Sequence, residues 1–255
     1  MAEIPVAGLL LLGLFAGLLS GAFGIGGGVV MAPLLRGVFG LPVLEALATP
    51  LVTMLPTALV AAWRHGRTHG LQIRRVVLAA VTGMPAAIVA ALGTERLPSR
   101  FLLGILLGLV AGIGLDYASG AWERRRALRP ERPEVRGGLG YGLLGLGVGF
   151  VSGGLGLGGG IVALPALAAM GQPLRQALGQ SLLLVALVAV PSAATHARLG
   201  HVNWSAALWL AGGLVPGSWF GAAWSSQVKE SLLVRILGVL LLLVAVGTAW
   251  REVPW

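Results

Sequence analysis

The chain has 255 residues, of which 56% are apolar and 11% charged, with mean hydropathy +0.89. An ordinary soluble domain carries about twice that charged share, so this chain lacks the charge to cover a water-facing surface and must face lipid. The absence of cysteine rules out disulfides, thiolate metal sites and cysteine catalysis. The net charge of +9 would suit a nucleic-acid binder only as a patch on a soluble domain; here it falls in short clusters between apolar runs, the pattern of membrane topology.

A helix needs about 20 residues to cross the hydrocarbon core. Residues 6–23 form the first apolar run, read as a retained span because Glu3 replaces the basic region of a signal peptide. Further runs follow at 45–63, 76–92, 101–117, 141–155, 180–195, 204–224 and 232–250. Two apolar stretches, 29–39 and 161–170, are too short to cross. Each follows a glycine-rich break (Gly24, Gly26, Gly27, Gly28; Gly156, Gly158, Gly159, Gly160) and contains a proline, Pro33 or Pro165. Such breaks are tolerated at membrane depth only where protein or a water-filled cavity covers them, so these stretches read as half-helices or re-entrant segments. Leu, Ala and Gly dominate without strict alternation, which excludes a barrel.

The two halves repeat. Gly13, Gly17, Ser20, Gly21, Gly24, Gly26, Gly27, Gly28 and Pro33 recur 132 residues later as Gly145, Gly149, Ser152, Gly153, Gly156, Gly158, Gly159, Gly160 and Pro165. After one lost residue the offset is 131, pairing Pro42 with Pro173, Ala46 with Ala177, His65 with His196, Arg67 with Arg198 and Pro85 with Pro216. The expected fold is therefore an all-α polytopic membrane protein with about eight transmembrane helices in two homologous four-helix repeats. The repeats are 1–117 and 138–255, joined by a charged cytoplasmic linker at 118–137. Arg64, Arg67, Arg74 and Arg75 and the linker's Arg124, Arg125, Arg126, Arg129, Arg132 and Arg136 mark one side as cytoplasmic, and eight crossings put both termini there. Four crossings per half give parallel repeats; five, if the short segments also cross, give inverted ones.

The motif G-x-x-x-G-x-x-S-G-x-x-G-x-G-G-G-x-x-x-x-P, present in both halves, resembles the sulfite exporter TauE/SafE family of membrane transporters. The resemblance implies a multi-pass plasma-membrane protein that moves sulfur-containing anions such as sulfite or organosulfonates, typically outward.

The residues offer matching chemistry. Gly26, Gly27 and Gly28, with Gly158, Gly159 and Gly160, can turn successive N–H groups into an anion-binding nest at a half-helix N-terminus. Gly13, Gly17, Gly145 and Gly149 fit close helix packing instead. Ser20 and Ser152 stand one turn before the triple glycines; Thr49, Gln180 and Ser181 begin the second long span of each half, with Glu45 at the membrane interface. Polar groups inside membranes are default candidates for a substrate path. His65 and His196, after that span, suit proton coupling or the interface.

The expected partners are a small anion and the lipid bilayer, with no nucleic acid; the oligomeric state is open, a homodimer included. No cofactor, metal constellation or catalytic group is expected, and no P-loop supplies ATP hydrolysis. A proton or ion gradient or the membrane potential would drive transport. The alternatives are an anion channel and an intramembrane serine hydrolase pairing Ser20 or Ser152 with His65 or His196. The hydrolase is disfavoured because the histidines fall at span ends and the serines beside the breaks.

Overall fold

The computed structural model describes residues 5–23, 26–121, 124, 137–225 and 230–252. Gly24 and most of the arginine-rich linker lie outside the described residues. Among the described residues ten α-helices follow in order: α1 Val6–Phe23, α2 Gly28–Gly37, α3 Val43–His69, α4 Ile73–Gly93, α5 Ser99–Ala118, α6 Gly138–Leu155, α7 Gly160–Ala169, α8 Leu174–Arg198, α9 Trp204–Ser225 and α10 Glu230–Glu252. All but α2 and α7 contain a stretch long and apolar enough to cross a membrane. Pro42, Pro98 and Pro173 stand directly before α3, α5 and α8 with φ near −55°, a conformation that suits a helix start.

Glycine stripes set the helix pairing. On α1, Gly13, Gly17 and Gly21 lie against the backbone carbonyls of Leu210, Leu214 and Ser218 on α9, where a Cβ would collide. Gly213, Gly217 and Gly221 return the contact against Leu10, Leu14 and Leu18. On α6, Gly145, Gly149 and Gly153 lie in the same way against Ala79, Gly83 and Ala87 of α4. Lipid offers no hydrophobic drive to join helices, so this backbone-to-backbone approach, with its dispersion gain, supplies the association.

The contacts also fix direction. Numbers rise together in the α1–α9 and α4–α6 pairs, so each pair runs parallel. The central pair α3–α8 runs antiparallel: Asn203, just after α8, bonds Glu45 and Thr49 at the start of α3, while Gly179, early in α8, packs on His65 and Gly66 late in α3. The outer pair α5–α10 is antiparallel as well, with Gly114 against Leu242 and Gly238 against Tyr117. The short helices turn back. Past α2, the Phe39 ring rests 3.2 Å from the Cβ position of Gly8; past α7, Gln172 Nε2 donates to Tyr141 Oη at 2.8 Å, beside the start of α6. Arg251 Nη1 donates to Gly37 O at 2.6 Å and Thr248 Oγ1 to Pro33 O at 3.3 Å, tying α10 along α2.

One consequence departs from the sequence-based expectation. A re-entrant helix reverses the chain without crossing, so each half holds five directions rather than four. α6 therefore runs opposite to α1, α8 to α3 and α10 to α5, which is not the parallel arrangement. The Val6 and Glu252 helix ends lie at the end of the bundle that also holds Phe39, Glu45, Glu95 and Asn203. The Ala118 and Gly138 helix ends lie at the other, with Arg64, Arg67, Arg74 and Arg75. That arginine-rich end carries Trp63 stacked on Trp219 at 6.3 Å, capped by Arg64 and Arg67 over the two rings, a motif suited to the membrane–water boundary.

The stripe contacts make a clear mutational contrast. Gly149→Leu drives a side chain into the Gly83 carbonyl and is expected to destabilise the protein by about 1–3 kcal/mol or more. Gly108, on the exposed face of α5 with nothing within 4 Å of its Cβ position, should accept Leu within about 0.5 kcal/mol. Unfolding in mixed detergent micelles measures both.

Candidate functional site

Helix α1 ends at Phe23 and α2 begins at Gly28, so the chain must reverse over a few residues within the bundle. Gly27 closes the first turn of α2, its carbonyl accepting from Val30 N and Met31 N at 3.2 and 3.0 Å. Gly159 does the same for α7, accepting from Val162 N and Ala163 N at 3.0 and 2.9 Å. The first N–H groups of both helices, those of Gly28 and Val29 and of Gly160 and Ile161, have no acceptor within the helix. They face the break with the positive end of the helix dipole.

The two breaks cross each other. A Cβ on Gly28 would sit 2.6 Å from Gly156 O and 3.1 Å from Leu157 Cα; one on Gly26 would sit 3.5 Å from Leu157 O. Met54 of α3 and Val185 of α8, themselves 131 residues apart, flank the crossing near the midpoints of their helices. Gly26 and Gly158 have φ of +79° and +69°, a left-handed conformation that strains any side chain. The copies differ at the next position, where Gly27 has φ −67° and Gly159 +77°. Every described residue of both breaks, Gly26 to Gly28 and Gly156 to Gly160, is buried.

Three side chains near the breaks are buried with unpartnered polar atoms: Ser20 Oγ, Ser152 Oγ, and both amide atoms of Gln180. Ser181, next to Gln180, directs Oγ to Gly160 O at 3.5 Å. Thr49 stands apart from these. Its Oγ1 accepts from Asn203 N at 3.1 Å, and Asn203 Nδ2 donates to Glu45 at 3.0 Å, so Thr49 and Glu45 anchor the α8–α9 connection to the start of α3. Antiparallel packing separates Thr49 from its counterpart Gln180, because each lies early in its own helix.

The histidines are deeper than the apolar runs imply. α3 and α8 continue to His69 and Arg198, and His65 and His196 are 5% and 0% exposed. His65 Nε2 donates to Gly21 O at 3.1 Å and His196 Nε2 to Gly153 O at 2.8 Å. Each thus braces α1 or α6 one residue beyond Ser20 or Ser152. A carbonyl accepts only, so these nitrogens carry the proton. His196 Nδ1 is engaged too, 3.1 Å from His201 Nδ1. Both its ring nitrogens are therefore occupied, and it is not placed to act as general base toward Ser152.

Sequence reasoning assigned no role to Met54, Val185, Asn203, His201 or Glu95. The 131 offset relates Met54 to Val185 and could have found them. Asn203 and Glu95 meet their partners only across the fold.

The chain is similar to known membrane transporters. The family described as Sulfite exporter TauE/SafE matches residues 9–248. The chain is 25% identical to the "Probable membrane transporter protein YunE" of Bacillus subtilis, over 92% of this chain and 94% of the relative. It is 29% identical to a "Probable membrane transporter protein" of Xylella fastidiosa strain Temecula1, over 95% and 92%, and 24% identical to one of Methanocaldococcus jannaschii, over 91% and 92%. No solved structure matches the chain significantly.

The crossing predicts two neighbouring glycines with unequal tolerance. Gly28→Ala meets the fixed Gly156 carbonyl and should cost about 1–3 kcal/mol. Gly27→Ala meets only the mobile end of Met31 at 3.0 Å and should cost less than half as much. Thermal unfolding of the purified variants in detergent compares them directly.

Proposed function

Because this chain belongs to the sulfite exporter TauE/SafE family of membrane transporters, we propose that it carries a small sulfur-containing anion, sulfite or an organosulfonate, outward through the crossing of the two glycine breaks. The observation that carries this reading is the set of unpartnered polar atoms on Ser20, Ser152 and Gln180. Buried polar groups are almost always hydrogen-bonded, and each one left without a partner costs about 1–3 kcal/mol. A passing anion would meet Ser20 and Gln180 toward the arginine-rich end and Ser152 toward the other, with the N-termini of α2 and α7 between them, and would remove that cost at each in turn. No Lys or Arg is among the described buried residues, so the site would hold charge without the desolvation penalty of a buried ion pair.

The constant sequence offset and the opposed directions of matching helices support a duplicated, inverted architecture, 1–117 and 138–255, with the substrate at the interface of the repeats. The burial of both breaks favours a carrier that opens alternately over a permanently open channel. The plasma membrane fits the family, and the arginine-rich end is taken as cytoplasmic. The Val6 and Glu252 helix ends then face outward, reversing the sidedness expected from eight simple crossings.

Two experiments test this reading. In proteoliposomes, Ser152→Ala and Gln180→Leu should each lower sulfite or methanesulfonate exchange about ten- to a hundredfold, the worth of one hydrogen bond to a charged ligand. Undiminished exchange in both variants would remove the site. For sidedness the cysteine-free chain is convenient: Thr68→Cys, at an arginine-rich end, should react with an impermeant maleimide only from the cytoplasm, and Arg96→Cys only from outside.

A further inference from the structure

Beside the second break, three ionisable side chains run in a line from buried to exposed. His196 is fully buried, with Nε2–H on Gly153 O at 2.8 Å and Nδ1 3.1 Å from Nδ1 of His201. His201 Nε2 lies 4.0 Å from Oε1 of Glu95, and Glu95 is 50% exposed at the arginine-poor end of the bundle. The Gly153 carbonyl fixes the protons. With Nε2 of His196 protonated, its Nδ1 is an acceptor in the neutral ring, so Nδ1 of His201 must donate. Neutral His201 then presents a bare Nε2 lone pair toward a carboxylate, two acceptors facing each other, and a proton placed between them satisfies both.

We propose that Glu95, His201 and His196 form a proton relay linking the outer end of the bundle to the second glycine break, so that the anion is carried together with a proton. The relay rests on the transport reading given above. The step balances. His201 takes a proton at Nε2 from Glu95 or from water beside it and gives up its Nδ1 proton to Nδ1 of His196, which leaves His201 neutral and His196 an imidazolium. That cation sits one residue from the unpartnered Ser152 hydroxyl, where it compensates a monoanion, and the pair crosses without net charge. When the carrier opens toward the cytoplasm, His196 gives its Nδ1 proton to water beside the released anion; on export the steps run in reverse, from cytoplasmic water to His196, then His201, then Glu95 and the outer solution.

The groups facing His196 are His201, from the α8–α9 connection, and the Gly153 carbonyl of α6; those facing His201 are His196 and Glu95, from the turn after α4. Arg96 and Arg198 nearby are exposed. The first half does not reproduce the chain. The His65 and His69 ring centroids are 6.5 Å apart, against 5.4 Å for His196 and His201, and His69 Nδ1 pairs with Thr68 Oγ1 at 2.7 Å instead. Position 70, which matches His201, is glycine. The coupling is therefore one-sided within the duplicated frame.

The test uses the full chain in proteoliposomes with radiolabelled methanesulfonate, which stays ionised at working pH and so does not itself follow a pH gradient. With one proton per anion, a gradient of one pH unit should accumulate the label about tenfold on the alkaline side. Glu95→Gln and His201→Gln should lose the accumulation while the purified variants keep the wild-type unfolding temperature. A wild type that exchanges methanesulfonate without responding to the gradient, or variants that keep the full response, would overturn the relay and leave the transport reading intact. Absence of both methanesulfonate and sulfite exchange would remove the transport reading and the relay with it. Independently of any substrate, ¹⁵N spectra of the four histidines in nanodiscs should show His196 as the Nε2–H tautomer and His201 as the Nδ1–H tautomer at alkaline pH. The opposite pair would exclude the proposed transfer.

Discussion

Everything in this bundle depends on two stretches of non-helical backbone meeting at membrane depth. In lipid, a peptide group without a partner costs several kcal/mol, so a break in a helix survives only where protein covers it. Here each break covers the other. Gly28 lies against the Gly156 carbonyl and Gly26 against that of Leu157, with Met54 and Val185 closing the sides. No side chain larger than hydrogen fits at Gly28, and Gly26 and Gly158 also need left-handed backbone. The glycines thus meet steric demands and leave helix N-termini aimed inward.

The surrounding helices serve that crossing. The glycine stripes of α1 and α6 let each lie directly on the backbone of a partner from the other half, α9 and α4 respectively. The long helices α3 and α8 run antiparallel through the middle and supply Met54, Val185, Gln180 and Ser181 from their buried faces. Their C-terminal turns carry His65 and His196 back to carbonyls just before the breaks. The same helices that shape the crossing therefore also bring titratable groups beside it.

Symmetry and its loss divide the roles. Matching residues hold the scaffold: Gly21 and Gly153, His65 and His196, Met54 and Val185 make like contacts in both halves. The two halves also depart from each other near the breaks. Gly27 and Gly159 adopt different backbone, Thr49 is bonded where Gln180 is not, and among the described residues the second half alone continues from its buried histidine to a solvent-exposed carboxylate.

The sequence by itself determined the membrane class, the eight helices long and apolar enough to span and the two short helices after the glycine breaks, because these rest on hydropathy, length and local backbone chemistry, which are read residue by residue. It also pointed to Ser20, Ser152 and Gln180 as polar groups at depth, though not to their lack of partners. Only the tertiary structure decided the direction of each helix, since whether a short apolar segment crosses or returns depends on what covers its far end. That single choice set which end holds the termini, separated Thr49 from Gln180, and brought Glu95 to His201 across more than a hundred residues of chain. No local pattern encodes such a meeting; it exists only when the re-entrant helices have turned the chain back.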